Sequence, residues 1–481
     1  MQFISFIFIG YLILIILGYF LINKVSWKLS NLFLVLMSFV FYSVSGFSNL
    51  LCLIVSITVN YFLIRILEKN SNKIILWAGI EFNIGMLFFF KYINFTILSI
   101  NSIFSQQINT LNIILPLGIS FFTFQQIAYL VVTYKKDIET YSFTEYLLYV
   151  TFFPKLLMGP ITEPRELIAQ FRDENRRKVS FDNISNGIQL FTVGLFKKVI
   201  LADTFARAVT WAWNTGDFSS TTYIDLILVM IAYSFQIYFD FSGYSDMAVA
   251  SALMLNIELP INFDSPYRSL SIRDFWERWH ISLTKFLTRY IYIPLGGNRK
   301  GKVRTYVNIL LVFLVSGVWH GANWTFVLWG ILHGVLSVFD RITDSISEKI
   351  PKIVRWLLNF ITVSILWLLF RANSISEWIH ILKQIILHQG NGISNGLIES
   401  FYLPETDFFN TILHLWGMQS VYSPLWLTFF YVLAFAVCIV PKNSNNMKCK
   451  SSVASAMIFA VTFVFLLTCI GSESVFVYFN F

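Results

Sequence analysis

The chain has 481 residues, 56% of them hydrophobic and only 13% charged, with 35 basic and 27 acidic residues and a net charge of +8. A soluble globular protein carries about 25% charged residues, so a cytoplasmic globular enzyme is excluded. Fifty Phe, 23 Gly and four Cys exclude disorder, collagen and a disulfide-stapled scaffold as well. The composition predicts an all-α, polytopic integral membrane protein, long enough for ten or more spans of about 20 residues.

Apolar runs fall at about 3–22, 31–45, 50–67, 74–95, 111–133, 145–158, 185–202 and 222–256. Others follow at about 305–319, 324–339, 356–370, 425–440 and 453–470. Together they predict about 11–13 membrane helices, some too short to cross unaided. The first run lacks a basic n-region and a small-residue cleavage site, and reads as a first span and not a cleaved signal. Residues 1–481 read as one membrane domain: N-terminal helices 1–110, a motif-bearing core 111–340, and C-terminal helices with an outward loop 341–481. No internal repeat is visible, which counts against a repeat-built transporter. The four cysteines, Cys52, Cys438, Cys449 and Cys469, form neither a disulfide framework nor a metal site, so no metal is expected.

Basic residues orient the chain. Nine fall in 265–304 (Arg268, Arg273, Arg278, Lys285, Arg289, Arg299, Lys300, Lys302, Arg304), five in 163–178, and Arg341, Lys349, Lys352 and Arg355 follow another run. By the positive-inside rule these face the cytoplasm, as do Lys442, Lys448 and Lys450. The loop 372–424 has one Lys, no Arg and four acids, and is expected outside. The excess charge thus reports topology, and no nucleic acid is expected as a partner; the lipid bilayer is. With Arg304 and Arg341 on one side, the segment between them is a hairpin. Its apolar arms, about 15 residues each, cover ~22 Å of a ~30 Å hydrocarbon core. The tip Trp319-His320-Gly321-Ala322-Asn323-Trp324 is therefore expected within the membrane.

His320 is the leading candidate site residue. An intramembrane histidine is costly unless paired or lining a polar path, and imidazole's ordinary pKa near 6.5 suits a general base. Gly321 and Ala322 would leave room for a substrate, and Trp319, Trp324 and Trp329 could wall a channel. The alternative is a histidine that hydrogen-bonds neighbouring helices. His333, flanked by Gly330 and Gly334 in a small-xxx-small pattern, reads first as close helix packing with a hydrogen-bonded imidazole. His280 falls in Arg273-Asp274-Phe275-Trp276-Glu277-Arg278-Trp279-His280, where i, i+4 pairs predict an amphipathic interfacial helix. Interfacial anchoring and a reach into a cavity are equal readings for it. Asp240 and Asp246 interrupt an apolar run; they could orient a histidine, bind substrate, or pair with an Arg of 265–304. The polar side chains of 116–129, Gln125 and Gln126 among them, read as interhelical glue.

In order, Tyr244-Ser-Asp-Met-Ala248, Phe263-Asp-Ser-Pro-Tyr267, Phe275-Trp-Glu-Arg-Trp-His-Ile-Ser-Leu283, Tyr292-Ile-Pro-Leu-Gly-Gly-Asn-Arg-Lys-Gly301, Trp319-His-Gly-Ala-Asn-Trp324 and Trp329-Gly-Ile-Leu-His-Gly334 resemble the membrane-bound O-acyltransferase (MBOAT) family, in its alginate O-acetyltransferase-like branch. Leu115–Gln125, Phe152–Leu156, Met158–Ile161 and the aromatic end Phe476–Phe481 extend the likeness over most of the chain. The chain departs at Val132, where an Asp is common, and at Glu163, where a basic residue is. The resemblance implies helices around a central channel, with His320 as catalytic base and His280 as the second catalytic histidine. Asp246 and Asn323 match family positions, and with Trp319, Asp240 and His333, singled out above from the residues themselves, they are the expected lining of the substrate channel. It implies acetyl transfer from acetyl-CoA, a cytoplasmic thioester donor, to hydroxyls of an exported polysaccharide: alginate-like, peptidoglycan or another. No permanently bound cofactor is implied. A secreted or membrane-anchored SGNH-type acetyltransferase would be the partner, and a bacterial inner (cytoplasmic) membrane the location. The rivals are a D-alanyl transfer protein for teichoic acid, and a non-catalytic transporter or scaffold.

Overall fold

Helices begin where serine or asparagine side chains precede an apolar run, because the first backbone N–H groups of a helix need an acceptor. Ser5, Asn72, Ser142 and Ser271 each cap a helix in this way. The computed structural model describes residues 3–216, 218, 221–387, 390–402, 422–440, 443–444, 453–470 and 476. The described secondary structure is helical, apart from one isolated bridge between Phe263 and Trp279. Loop positions 403–421, Lys442, Lys448–Lys450 and the aromatic end beyond Phe476 lie outside the described residues.

The contacts divide the chain into two units, 1–191 with 244–261, and 192–243 with 262–481. The first contains α1 Phe6–Asn23, α2 Trp27–Ser43, α3 Phe47–Lys69 and α4 Lys73–Phe104. It continues with α5 Ile119–Tyr134, α6 Phe143–Thr151, α7 Phe153–Leu156 and α8 Pro164–Arg172. Asn60 on α3 and Asn83 on α4, both fully buried, exchange side-chain hydrogen bonds of 3.2 and 2.6 Å. Such an amide pair satisfies polar groups that lipid cannot. Gln126 accepts from Tyr146 Oη at 2.7 Å, and Gln125 accepts from the buried Lys155 Nζ at 2.8 Å. The polar studs of this stretch are indeed glue between helices. The run 145–158 does not form a span: it breaks at Phe152 into nine- and four-residue helices, with Pro154 inside the second.

The second unit takes the end of α9 Phe181–Phe196, then α10 Asp203–Asn214 and α11 Tyr223–Leu253 as far as Gly243. After α12 Ile272–Arg278 and α13 Ile281–Leu287 come α14 Lys302–His320, α15 Trp324–Ser347 and α16 Lys352–Arg371. It ends with α17 Ile375–Ile386, α18 Asn395–Glu399, α19 Tyr422–Ile439 and α20 Val453–Thr468. Seven described helices are long and apolar enough to cross a membrane, and four shorter apolar helices accompany them.

The hairpin of α14 and α15 is confirmed, but its arms are longer than the hydropathy suggests. Helical hydrogen bonding continues past the apolar stretch into charged residues, giving 19 and 24 residues. At 1.5 Å per residue these reach about 28 and 36 Å, so short arms do not hold the tip within the bilayer. The arms pack backbone to backbone. A Cβ at Gly330 would meet the Phe313 carbonyl oxygen at 2.5 Å and Gly317 Cα at 3.1 Å.

Candidate active site

His320 closes the last turn of α14 and is 3% exposed. Its ring sits among Trp319, Trp329 and Phe370, at centroid distances of 5.0, 5.3 and 5.2 Å. The chain then turns through Gly321, whose missing side chain is replaced by the ring of Phe326; the space expected for a substrate at that glycine is filled by protein. Asn323 is engaged at both ends of its amide. Its Oδ1 accepts from Thr325 N at 3.1 Å to cap α15, and its Nδ2 donates to Asn373 O at 3.1 Å.

His280 does not extend the amphipathic helix. α12 ends at Arg278, Trp279 is extended, and His280 has φ 45° and ψ 53°. The cause is a contact distant in sequence. Phe263 bridges Trp279, Asp264 N donates to Arg278 O, and Ile281 N donates to Asn262 O, each backbone hydrogen bond 3.0 Å. Asn262 Oδ1 also accepts from Ser282 Oγ at 2.6 Å. A left-handed conformation in a residue with a Cβ persists only where the surroundings over-determine it, and such residues concentrate at functional sites. The His280 imidazole is fully buried, edge-on to Phe241 at 4.8 Å and 6.2 Å from Trp319. Neither ring nitrogen has a hydrogen-bond partner among the described residues. Burial pushes its pKa down to about 3, so the imidazole is neutral and is a poor source of protons. Trp319 thus touches both histidines.

His333 is the packed histidine its glycines suggest. Trp276 Nε1 donates to its Nδ1 at 3.2 Å, and Trp329, one turn before it on α15, lies 4.7 Å away. The partner found for Asp240 is a lysine. Its Oδ1 lies 2.7 Å from Lys198 Nζ, both side chains 1% exposed, and Lys198 also reaches Asp203 at 2.8 Å. Asp246 is buried in the first unit, whereas His280, His320, His333, Trp319, Asn323 and Asp240 belong to the second.

A cavity of about 300 Å³ lies within the second unit. Arg273, Glu277 and Arg341 line it together with Trp276, Leu283, Leu287, Tyr292, Phe313, Ser316 and Ser337. Ser316 is one helical turn before His320 on α14. Arg273, Glu277 and Arg341 are exposed, so the rim carries two basic groups against one acid and is net basic; Arg273 reaches Asp344 at 3.5 Å. Sequence reasoning missed Trp367 and Phe370, which complete the aromatic shell around Trp329 at 5.8 and 4.8 Å. Tryptophan in an apolar run carries no signal that separates wall from core. Lys198 was legible as a lysine within the run 185–202, but its partner was not.

Fold and site define a multi-pass membrane protein with buried histidines beside a basic-rimmed cavity. The profile of the membrane-bound O-acyltransferase family matches residues 74–376, and the chain belongs to that family as an O-acyltransferase. It is 36% identical to a peptidoglycan O-acetyltransferase of Helicobacter pylori, over 97% of this chain and 94% of the relative. It is 36% identical to a probable alginate O-acetylase of Azotobacter vinelandii, over 78% of this chain and 76% of that one. A teichoic acid D-alanyltransferase of Streptococcus thermophilus is more distant, at 28% over 46% and 55%.

Proposed function

We propose that this enzyme moves acetyl groups from acetyl-CoA to hydroxyls of an exported polysaccharide, peptidoglycan first, across a bacterial inner membrane. The observation that carries the reading is His320, buried among aromatic rings one turn beyond a basic-rimmed cavity. His320 takes the proton as the acceptor hydroxyl oxygen attacks the thioester carbonyl carbon. The tetrahedral intermediate then expels the sulfur, which leaves with its bonding electron pair and receives the proton from His320. An ester and a thiol result. His280 serves as a neutral hydrogen-bond partner in this scheme, not as an acid. Trp319 spaces the two imidazoles. Peptidoglycan takes precedence because the relative named for it matches nearly the whole chain. An SGNH-type acetyltransferase on the outer side would complete delivery. Teichoic acid D-alanylation is the weaker reading, since its named relative aligns with under half of the chain.

The test is mass spectrometry of wall and secreted polysaccharide from a host lacking its own O-acetyltransferase and expressing this chain. Ester-linked acetate on the glycan is expected; an alanyl ester, or no ester, would refute the reading. Arg273 and Arg341 would hold the donor's phosphates, since Arg–phosphate hydrogen bonds are charge-assisted. Arg273→Ala with Arg341→Ala is expected to raise the KM for acetyl-CoA roughly 10- to 100-fold with little change in kcat, the pattern of lost uniform binding. An unchanged KM would remove the rim from the donor route.

A further inference from the structure

Buried polar groups are almost always hydrogen-bonded, so one left without a partner needs a reason, and a ligand that arrives during function is one such reason. The aromatic shell beside His320 contains such groups. Trp329 is fully buried, and its indole N–H has no hydrogen-bond partner among the described residues. Its ring neighbours are His320, His333, Trp276, Trp367 and Phe370, at 5.3, 4.7, 5.4, 5.8 and 4.8 Å. Trp276, in the same shell, is treated differently: its N–H is given to His333 Nδ1 at 3.2 Å. One indole donor, that of Trp276, is therefore satisfied within the protein; those of Trp329 and Trp367 have no partner among the described residues, and of these two Trp329 stands edge-on to His320, at 85°.

Attack on a thioester turns its carbonyl oxygen into an oxyanion. A donor already fixed in a water-poor shell stabilises that charge without reorganising, and it is worth most where the dielectric is low. We propose that the Trp329 indole N–H is the oxyanion donor of acyl transfer, and hence a catalytic residue beside His320; this rests on the reading of His320 as the base. As the hydroxyl oxygen bonds to the carbonyl carbon, the C=O π pair moves onto the oxygen and is held by the indole. As that pair re-forms the carbonyl, the C–S bond breaks and the sulfur takes the proton from His320.

The experiment uses the full-length protein in membrane vesicles, with labelled acetyl-CoA and isolated cell-wall glycan. Trp329→Phe removes the N–H. Replacement by β-(3-benzothienyl)alanine removes it while keeping the bicyclic shape, so a packing defect in the first variant does not blur the result. Both are expected to lower kcat about 100-fold, the effect of losing one oxyanion donor, with the KM for acetyl-CoA unchanged. The benzothienyl variant should unfold at the same temperature as wild type or higher, because the N–H it lacks bonded nothing in the resting protein. A lower unfolding temperature with undiminished kcat would mean a structural bond through water and would overturn the assignment. His320→Ala run alongside separates the two ideas. If it is inactive while both Trp329 variants are fully active, only the oxyanion assignment falls. Full activity in all three would remove the reading of His320 as the base, and this assignment with it.

Discussion

His320→Ala is expected to reduce O-acetylation of the glycan by about 100- to 10,000-fold, the range a positioned general base supplies. The variant should still insert, because the α14–α15 hairpin is held by Gly317 against Gly330 and not by the imidazole. Some stability will be lost, about 1–3 kcal/mol, since the ring contacts with Trp319, Trp329 and Phe370 disappear. His320→Gln keeps a polar side chain of similar length in the shell and cannot take the proton, so it should lose activity equally. Membrane content measured by immunoblot, set against ester acetate per milligram of glycan, makes the comparison. Wild-type esterification by either variant would show that proton transfer does not pass through this histidine. His333→Gln is the contrasting case. Its imidazole already accepts the Trp276 N–H, so its loss should affect stability more than rate.

The membrane class, the hairpin and the packed His333 were all legible in the sequence because each depends on local composition or on helical spacing. Other features depend on contacts between distant residues, and periodicity is blind to those. The i, i+4 pattern of Phe275, Trp276, Trp279 and His280 is a helix signal, yet the helix ends at Arg278 because Phe263 pairs with Trp279. Hydropathy placed the hairpin arms at their apolar residues, whereas helical hydrogen bonds run on from Lys302 and to Ser347. Gly321 looked like space for a substrate, but Phe326 occupies it. Asp246 and Asp240 lie six residues apart on α11 and fall in different units. Adjacency in a motif is therefore weak ground for giving both carboxylates one role.

Asp240 tests that distinction most directly. Its carboxylate and the Lys198 ammonium are both 1% exposed and 2.7 Å apart, while Asp203, the lysine's other partner, is 28% exposed. Lys198→Met would leave the Asp240 charge buried without its cation. Breaking a buried pair from one side costs about 3–5 kcal/mol, most of it the stranded charge. The single variant is expected to unfold at a markedly lower temperature in detergent and to accumulate poorly in membranes. Adding Asp240→Asn removes the stranded charge, so the double variant should recover most of that loss; Asp203 keeps its hydration. Asp240→Asn alone leaves Lys198 paired with Asp203 and is expected to keep both fold and activity. The opposite result, full stability with activity lost in Asp240→Asn, would make Asp240 a group that acts on substrate. Because the pair lies next to Phe241, whose ring packs against His280 at 4.8 Å, a counter-ion role still reaches the site. It fixes the helix face against which that imidazole rests, and its loss should disturb catalysis only as far as it loosens α11.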